Sequence, residues 1–138
     1  DMEESYHMIQ DGVLTVNYEY AQEGVLCYPD LVKVGIALDT GAVASYDALG
    51  YLSAHRERSL PAAEISQAEA LATVPETLRV RNQELALIPS EGGEERLCYE
   101  LLCQARDGRR YLLYVNAVTG AQEKILILLE DGSGALTI

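Results

Sequence analysis

The sequence predicts an α+β fold in which antiparallel β-sheets carry a short helix packed on one face. Three observations predict it: several segments alternate apolar and polar residues, one segment carries the start and stop signals of a helix, and short turn sequences separate the strands. Apolar residues make up 49% of the 138-residue chain, which is enough to form a buried core.

The strand predictions rest on alternation with a period of two. Residues 14–20 alternate without a break, and residues 32–38 place four apolar side chains on one face. Asp39-Thr40-Gly41 separates this second strand from residues 42–46, which predicts a hairpin. Further strands are predicted for residues 78–88, 97–103, 111–115 and 125–129. The last of these is apolar on both faces, so it is expected either at the centre or under a cover.

One helix is well signalled. Ser66 and Glu69 have the spacing of a capping box, in which the hydroxyl accepts the third helical N–H and the carboxylate reaches back to the first residue. Pro75 ends the helix, because proline disfavours helical geometry in the residue before it. So short a helix is stable only when it packs on a sheet.

Composition narrows the classes of partner and cofactor. A formal net charge of −12 makes nucleic acid and anionic lipid surfaces poor partners, whereas it is compatible with a protein that has a basic face. The alternative is that the acidic side chains only maintain solubility. The three cysteines, Cys27, Cys98 and Cys103, are too few for a disulfide framework and are expected to be small buried hydrophobes. The two histidines show no zinc-binding spacing, so neither a metal nor a cofactor is predicted.

The chain contains an internal repeat. A shift of 79 residues aligns Thr40-Gly41-Ala42 with Thr119-Gly120-Ala121, and it also aligns Tyr20 with Tyr99. The repeat predicts two modules, residues 1–58 and residues 59–138, of which the first lacks the counterpart of the Ser66 helix. We therefore expect the chain to be part of a longer protein.

The missing helix would leave one sheet face of the first module uncovered. That face carries six residues, and we expect it to be covered by the second module or by a second copy of the chain in a homodimer. The six residues are Leu14, Val16, Tyr18, Val32, Val34 and Ile36.

The segment 38–42 also matches the active-site signature of aspartic proteases. In that class two such loops bring two carboxylates together, so a homodimer of this chain could form an aspartic-type hydrolase using Asp39-Thr40-Gly41. The repeat favours a β-turn instead, because Val118 occupies the position equivalent to Asp39 while both copies keep Thr-Gly. The preferred hypothesis is therefore a chain that is not an enzyme.

The strand Tyr114-Val115-Asn116-Ala117-Val118-Thr119-Gly120 resembles the end of a PepSY module. Several separate segments together resemble the YpeB family of spore germination proteins, over essentially the whole chain. They are Tyr28-Pro29-Asp30, Lys33-Val34, Ala37-Leu38-Asp39, Gly50-Tyr51-Leu52 with His55 and Arg58, and Leu97-Cys98-Tyr99-Glu100. Gly35 departs from the family pattern, which often has a larger residue there.

The resemblance implies that residues 1–58 are the C-terminal part of a first PepSY-like module and residues 59–138 a complete second one. It implies a non-catalytic module that stabilises or restrains a cortex-lytic cell-wall hydrolase of the SleB type. It also implies a location in the spore, on the outer side of the inner spore membrane facing the cortex, with a membrane anchor absent from this chain. Tyr51, His55 and Arg58 match a family motif between the modules and are the candidate partner contacts; a linker turn held by local hydrogen bonds is the alternative.

Overall fold

The computed structural model describes residues 1–131 and 134–137, with side chains as far as Leu128. The strands are β1 (Met2–Gln10), β2 (Val13–Gln22), β3 (Val25–Ala37), β4 (Val43–Asp47), β5 (Leu78–Pro89), β6 (Glu95–Ala105), β7 (Arg110–Asn116), β8 (Gln122–Asp131) and β9 (Gly134–Thr137). The helices are α1 (Leu49–Ala54) and α2 (Gln67–Ala72). The fold is therefore mostly antiparallel sheet with two short helices.

The residues form two compact units, the first built mainly from Asp1–Glu57 and the second mainly from Arg58–Leu129. In the first unit β1, β2, β3 and β4 pair in chain order, all antiparallel, and β1 also pairs with β9 at Met8 and Gly134. The sequence predicts tandem PepSY modules, and the identity of these two units as PepSY modules stays a prediction.

The apolar face predicted for the first unit exists. Pairing between β2 and β3 sets Leu14 opposite Ile36 and Val16 opposite Val34, and Tyr18 lies opposite Val32 in the same register. Directly opposed residues point to the same side of a sheet, so all six share one face. Val16 is buried and the other five are half-buried. The second module or second copy expected to cover this face stays a prediction.

The second unit is a meander of β5, β6, β7 and β8. Strand β6 is its core: the face predicted to be apolar is fully buried, and Glu100 on the other face is also buried, where its carboxylate accepts a 2.7 Å hydrogen bond from the Tyr114 hydroxyl. Helix α2 begins at the predicted capping box, with Ser66 Oγ 3.1 Å from the Glu69 N–H. The four buried residues of the predicted face are Leu97, Tyr99, Leu101 and Cys103.

Two features of the fold differ from the sequence prediction. Helix α1 was not predicted; its first turn is supported by Asp47, whose Oδ1 accepts a 3.0 Å hydrogen bond from the Leu49 N–H. Strand β8 is expected at the centre or under a cover, but a cover over the face with Ile125 and Ile127 is not observed, because these side chains are 52% and 39% exposed. The apolar run reflects β-propensity there rather than burial on both sides.

The internal repeat is precise in the hairpins β3–β4 and β7–β8. Both ladders shift register at equivalent points, between Gly35 and Ile36 and between Tyr114 and Val115, which lie 79 residues apart. The Thr40 Oγ1 accepts a 3.2 Å hydrogen bond from the N–H two residues on, and Thr119 does the same. The two glycines that follow have φ angles of 73° and 78°.

The repeat does not extend unchanged into the preceding hairpins. Ile36 pairs with Leu14, whereas its equivalent Val115 pairs with Tyr99. The structure therefore equates Leu14 with Tyr99, and the alignment of Tyr20 with Tyr99 is wrong. The hairpin β2–β3 is the longer one, because its ladder has ten residue pairs against seven in β6–β7, and β3 also contains three residues that do not pair with β2.

Both repeat turns need a glycine with positive φ. We expect Gly41→Val and Gly120→Val each to lower the free energy of unfolding by roughly 1 kcal/mol or more, because β-branched residues rarely adopt that geometry. Gly92→Val is the control, since this exposed loop glycine has no positive φ and only the Ser90 hydroxyl near the added carbon. Urea denaturation measures all three. Equal stabilities for the turn variants and the control would contradict the shared turn geometry.

Candidate partner-binding site

A bulge in β3 is the starting point of the site. Glu19 of β2 pairs with Leu31, but the next residue, Tyr20, pairs with Cys27, so Tyr28, Pro29 and Asp30 have no partner in the β2 ladder. Proline favours such a position because it has no N–H to contribute to a ladder. The bulge releases this short segment from strand geometry and turns the Asp30 side chain inward, where it is 0% exposed.

His55 lies against the buried carboxylate. It is the residue at which α1 ends, with φ −62° and ψ 127°, and its Nδ1 lies 2.8 Å from Asp30 Oδ2. When Asp30 is ionised its carboxylate only accepts hydrogen bonds, and Nδ1 is then the donor of this pair. The imidazole is 32% exposed, which places the pair at the boundary between core and solvent.

Two tyrosine rings fix the orientation of the imidazole. The Tyr51 ring is stacked on it, with centroids 4.3 Å apart and planes 12° from parallel. The Tyr20 ring meets it edge-on, with centroids 4.6 Å apart and an interplanar angle of 84°. Both are favourable arrangements for aromatic pairs. The imidazole therefore has one hydrogen-bonded edge and two ring contacts, which leaves it little rotational freedom.

Gly50 allows α1 to approach the bulge closely. A Cβ atom at this position would lie 3.0 Å from the Pro29 carbonyl oxygen and 3.1 Å from that of Leu31. Both obstacles are backbone atoms, so the bulge itself would have to move. The sequence segments Tyr28-Pro29-Asp30 and Gly50-Tyr51 are thus two sides of one contact. We call this group the Asp30–His55 site: Tyr20, Asp30, Gly50, Tyr51 and His55.

The Asp30–His55 site combines a carboxylate and an imidazole. An Asp–His pair can assist a nucleophile when a hydroxyl or thiol reaches the second ring nitrogen. Among residues 1–128, whose side chains the structure describes, no hydroxyl or thiol is hydrogen-bonded to the His55 ring, although the rings of Tyr20 and Tyr51 contact it. The same residues include no cluster of three or more carboxylate, imidazole or thiol groups arranged to hold a metal ion.

Arg58 belongs to the second unit. Helix α1 ends before His55, so no helical turn brings His55 and Arg58 to one face. Arg58 Nε donates instead to Glu95 Oε2 at 2.5 Å, and the Arg58 side chain is 5% exposed. For Tyr51, His55 and Arg58, partner contact stays a prediction.

Asp39 lies in the exposed turn between β3 and β4. The turn is closed by backbone bonds, from the Ala37 N–H to the Ala42 carbonyl and from the Gly41 N–H to the Ala37 carbonyl, and the turn between β7 and β8 repeats both. Because the repeat turn forms with Val118 in the equivalent position, its geometry does not require a carboxylate. The aspartic-hydrolase alternative finds no support in this geometry.

Perturbed titrating groups occur in the second unit. Burial raises the pKa of the Cys98 thiol to about 12, with the nearby Glu123 charge acting in the same direction and Arg96 opposing it. A hydrogen bond from Asn116 lowers the pKa of Glu123, and Arg96 adds to this effect. All three cysteines are buried free thiols, as the sequence predicts. A neutral buried thiol is a packing group rather than a nucleophile.

The sequence marks Tyr51 and His55 as candidate residues but not the rest of the site. Asp30 and Gly50 belong to segments that resemble the family, and the sequence assigns them no role. A proline inside an apolar strand pattern is a signal for a bulge, so Pro29 could have indicated that its neighbours leave the ladder. No signal in the sequence connects residue 30 with residue 55.

We expect the Asp30–His55 pair to be energetically coupled. In a double-mutant cycle of Asp30→Asn, His55→Gln and the double variant, the coupling free energy should be roughly 1 kcal/mol, because the carboxylate is removed from water and its partner is held in place. Urea denaturation gives the four stabilities. The matched control is the exposed pair Glu4–His7, 3.9 Å apart, where coupling should be close to zero. Equal coupling in both cycles would contradict a specific role for the buried pair.

The comparisons with known proteins agree with one another. A family model described as YpeB sporulation, PepSY1 and PepSY2 domains matches residues 1–61, which include the whole Asp30–His55 site. Sporulation protein YpeB of Halalkalibacterium halodurans is 36% identical over 115 residues, and that of Bacillus subtilis 35%, each match covering 83% of this chain.

The solved structure of the Bacillus megaterium YpeB C-terminal domain superposes with a TM-score of 0.85 at 31% identity, covering 94% of this chain and 57% of the other. The matches span about a quarter of the length of the curated relatives, 26% and 25%. The chain belongs to the YpeB sporulation protein family.

Proposed function

We propose that this chain is a non-catalytic binding part of a spore germination protein, and that it stabilises or restrains a cortex-lytic cell-wall hydrolase of the SleB type. The single observation that carries the proposal is the Asp30–His55 site, a rigid polar and aromatic cluster within the residues that match the family model. Its side chains are arranged to hold a helix in position. They are not arranged to carry out a reaction.

Helix α1, which the Asp30–His55 site holds in position, exposes apolar side chains to solvent. Leu49 and Leu52 of α1 are 71% and 79% exposed, and Val43 and Tyr46 of the adjacent β4 are also exposed. Four large apolar residues exposed within ten positions of sequence are unusual for a surface, and such groups commonly mark protein contacts. We call these four residues the β4–α1 surface. Under the proposal it contacts the hydrolase.

The proposal places the protein in the spore, on the outer side of the inner membrane and facing the cortex. Neither described helix is long and apolar enough to span a bilayer. Membrane anchoring belongs to the proposal through the family resemblance alone. The net charge of −12 supports a protein partner with a basic surface over an anionic polymer.

The β4–α1 surface gives the sharpest test. Leu52→Asp should weaken capture of a purified SleB-type hydrolase by this chain about tenfold or more, because a charge replaces an apolar side chain at the centre of the contact. Ile125→Asp is the matched control, an exposed isoleucine of the second unit. Binding is measured by biolayer interferometry with the intact hydrolase and with its separated domains.

Circular dichroism melting first establishes that both variants fold. Capture that is unaffected by Leu52→Asp would contradict the assigned surface, and absence of capture by the unaltered chain would contradict the proposed partner. A loss with Ile125→Asp equal to that with Leu52→Asp would move the contact away from α1. Any hydrolysis of cortex peptidoglycan by the chain alone would contradict the non-catalytic role.

A further inference from the structure

Charge is distributed unevenly along this acidic chain. Residues 1–57 carry ten Asp and Glu against only Lys33 and Arg56, whereas residues 58–129 carry ten Asp and Glu with eight of the ten Lys and Arg. The second unit is thus close to neutral. Its arginines are the main positively charged groups of the protein, and their individual surroundings decide what they can bind.

Three arginines of the second unit lie close to carboxylates. Arg58 bonds to Glu95, Arg96 to Glu123 at 2.6 Å, and Arg109 lies 3.6 Å from Asp107. Three arginines differ: within the described part of the chain, Arg79, Arg81 and Arg106 have no carboxylate within ion-pair distance. In a protein with a large excess of acids, guanidinium groups left without carboxylates are an unexpected feature.

The same three arginines line one cleft of about 400 Å³. Two lie on β5, where Arg81 is the extra residue of a bulge: Val80 pairs with Cys103 and Asn82 with Leu102. Arg106 lies in the turn between β6 and β7. That turn is fixed by Gly108, whose φ is 87° and whose N–H donates to the Ala105 carbonyl. The bulge in the β5–β6 ladder thus fixes the backbone near Arg79 and Arg81, and the tight turn fixes the backbone near Arg106.

We propose that this cleft binds a small multivalent oxyanion, a compound with two or more negative charges on carboxylate or phosphate groups. Guanidinium groups recognise both groups through paired N–H donors. The volume is in the range of small-ligand sites. Glu76 also lines the cleft and opposes the binding of anions, so the arginines must outweigh it. The inference is independent of the proposed function.

The size of the cleft favours a compact anion over a polymer. Charge effects in solution extend about 8 Å at physiological ionic strength, so a small anion in the cleft interacts mainly with the arginines. An extended polyanion would also meet the many carboxylates elsewhere on the protein and would be repelled by them. We therefore propose a small anion as the ligand of the cleft, and the experiment below also tests binding of a polymer.

Isothermal titration of the full chain with citrate, inorganic phosphate and acetate tests the site. We expect citrate, phosphate or both to bind, and acetate to bind at least about tenfold more weakly, because one charge engages fewer guanidinium groups. The relative affinities of citrate and phosphate identify the preferred group. The triple variant R79Q/R81Q/R106Q should weaken binding about tenfold or more, whereas Glu76→Gln should strengthen it.

Arg109→Gln is the matched control, because this arginine is exposed, already faces Asp107 and does not line the cleft. Its affinity should stay within about twofold of the unaltered chain. If the triple variant does not fold, the three single variants provide the test. Equal binding by the unaltered and triple variants, or an equal loss with Arg109→Gln, would overturn the site. Polyglutamate binding more tightly than citrate through the same arginines would overturn the choice of a small ligand.

Discussion

The first unit depends on a carboxylate that the fold removes from water. Asp30 is fully buried, and a buried carboxylate requires hydrogen-bonding partners to remain charged. His55 provides one, but it can do so only if the chain after β4 turns back onto β3. Helix α1 makes that turn, and Gly50 lets its backbone come close enough. The bulge, the helix and the two tyrosine contacts therefore follow from one electrostatic requirement.

The same contact joins two of the sequence segments that resemble the YpeB family. Tyr28-Pro29-Asp30 and Gly50-Tyr51 lie about twenty residues apart in sequence but form one contact. The repeat shows the contrast. The second unit keeps the β3–β4 type of hairpin in β7–β8, with the same turn and the same register shift, but β6–β7 pairs without a bulge. The first unit is thus the basic hairpin with an added bulge and helix, and that addition creates the candidate site.

The sequence predicted those features that depend on neighbouring residues. Alternation located the strands, the spacing of Ser66 and Glu69 located α2, and Thr-Gly located the repeated turn. The sequence did not predict α1, because only the contact with Asp47 marks the start of this helix. It also did not predict the hydrogen bond between Asp30 and His55, because that bond is a tertiary contact. The Tyr20–Tyr99 alignment was wrong because a bulge changes the register without changing the apolar pattern. Exposure of Ile125 was missed since periodicity cannot show whether a face is covered.

Hydrogen exchange at the amides of Leu52 and His55, which bond to Ala48 and Tyr51, tests most directly whether contact with the bulge holds α1 in place. Gly50→Ala should lower the protection of both amides about tenfold, because the added carbon meets two backbone carbonyls. Helix propensity alone predicts the opposite, since alanine favours helix over glycine by about 1 kcal/mol. Ser53→Ala, at an exposed position of the same helix, should preserve protection. Protection that is unchanged or increased in Gly50→Ala would contradict the account.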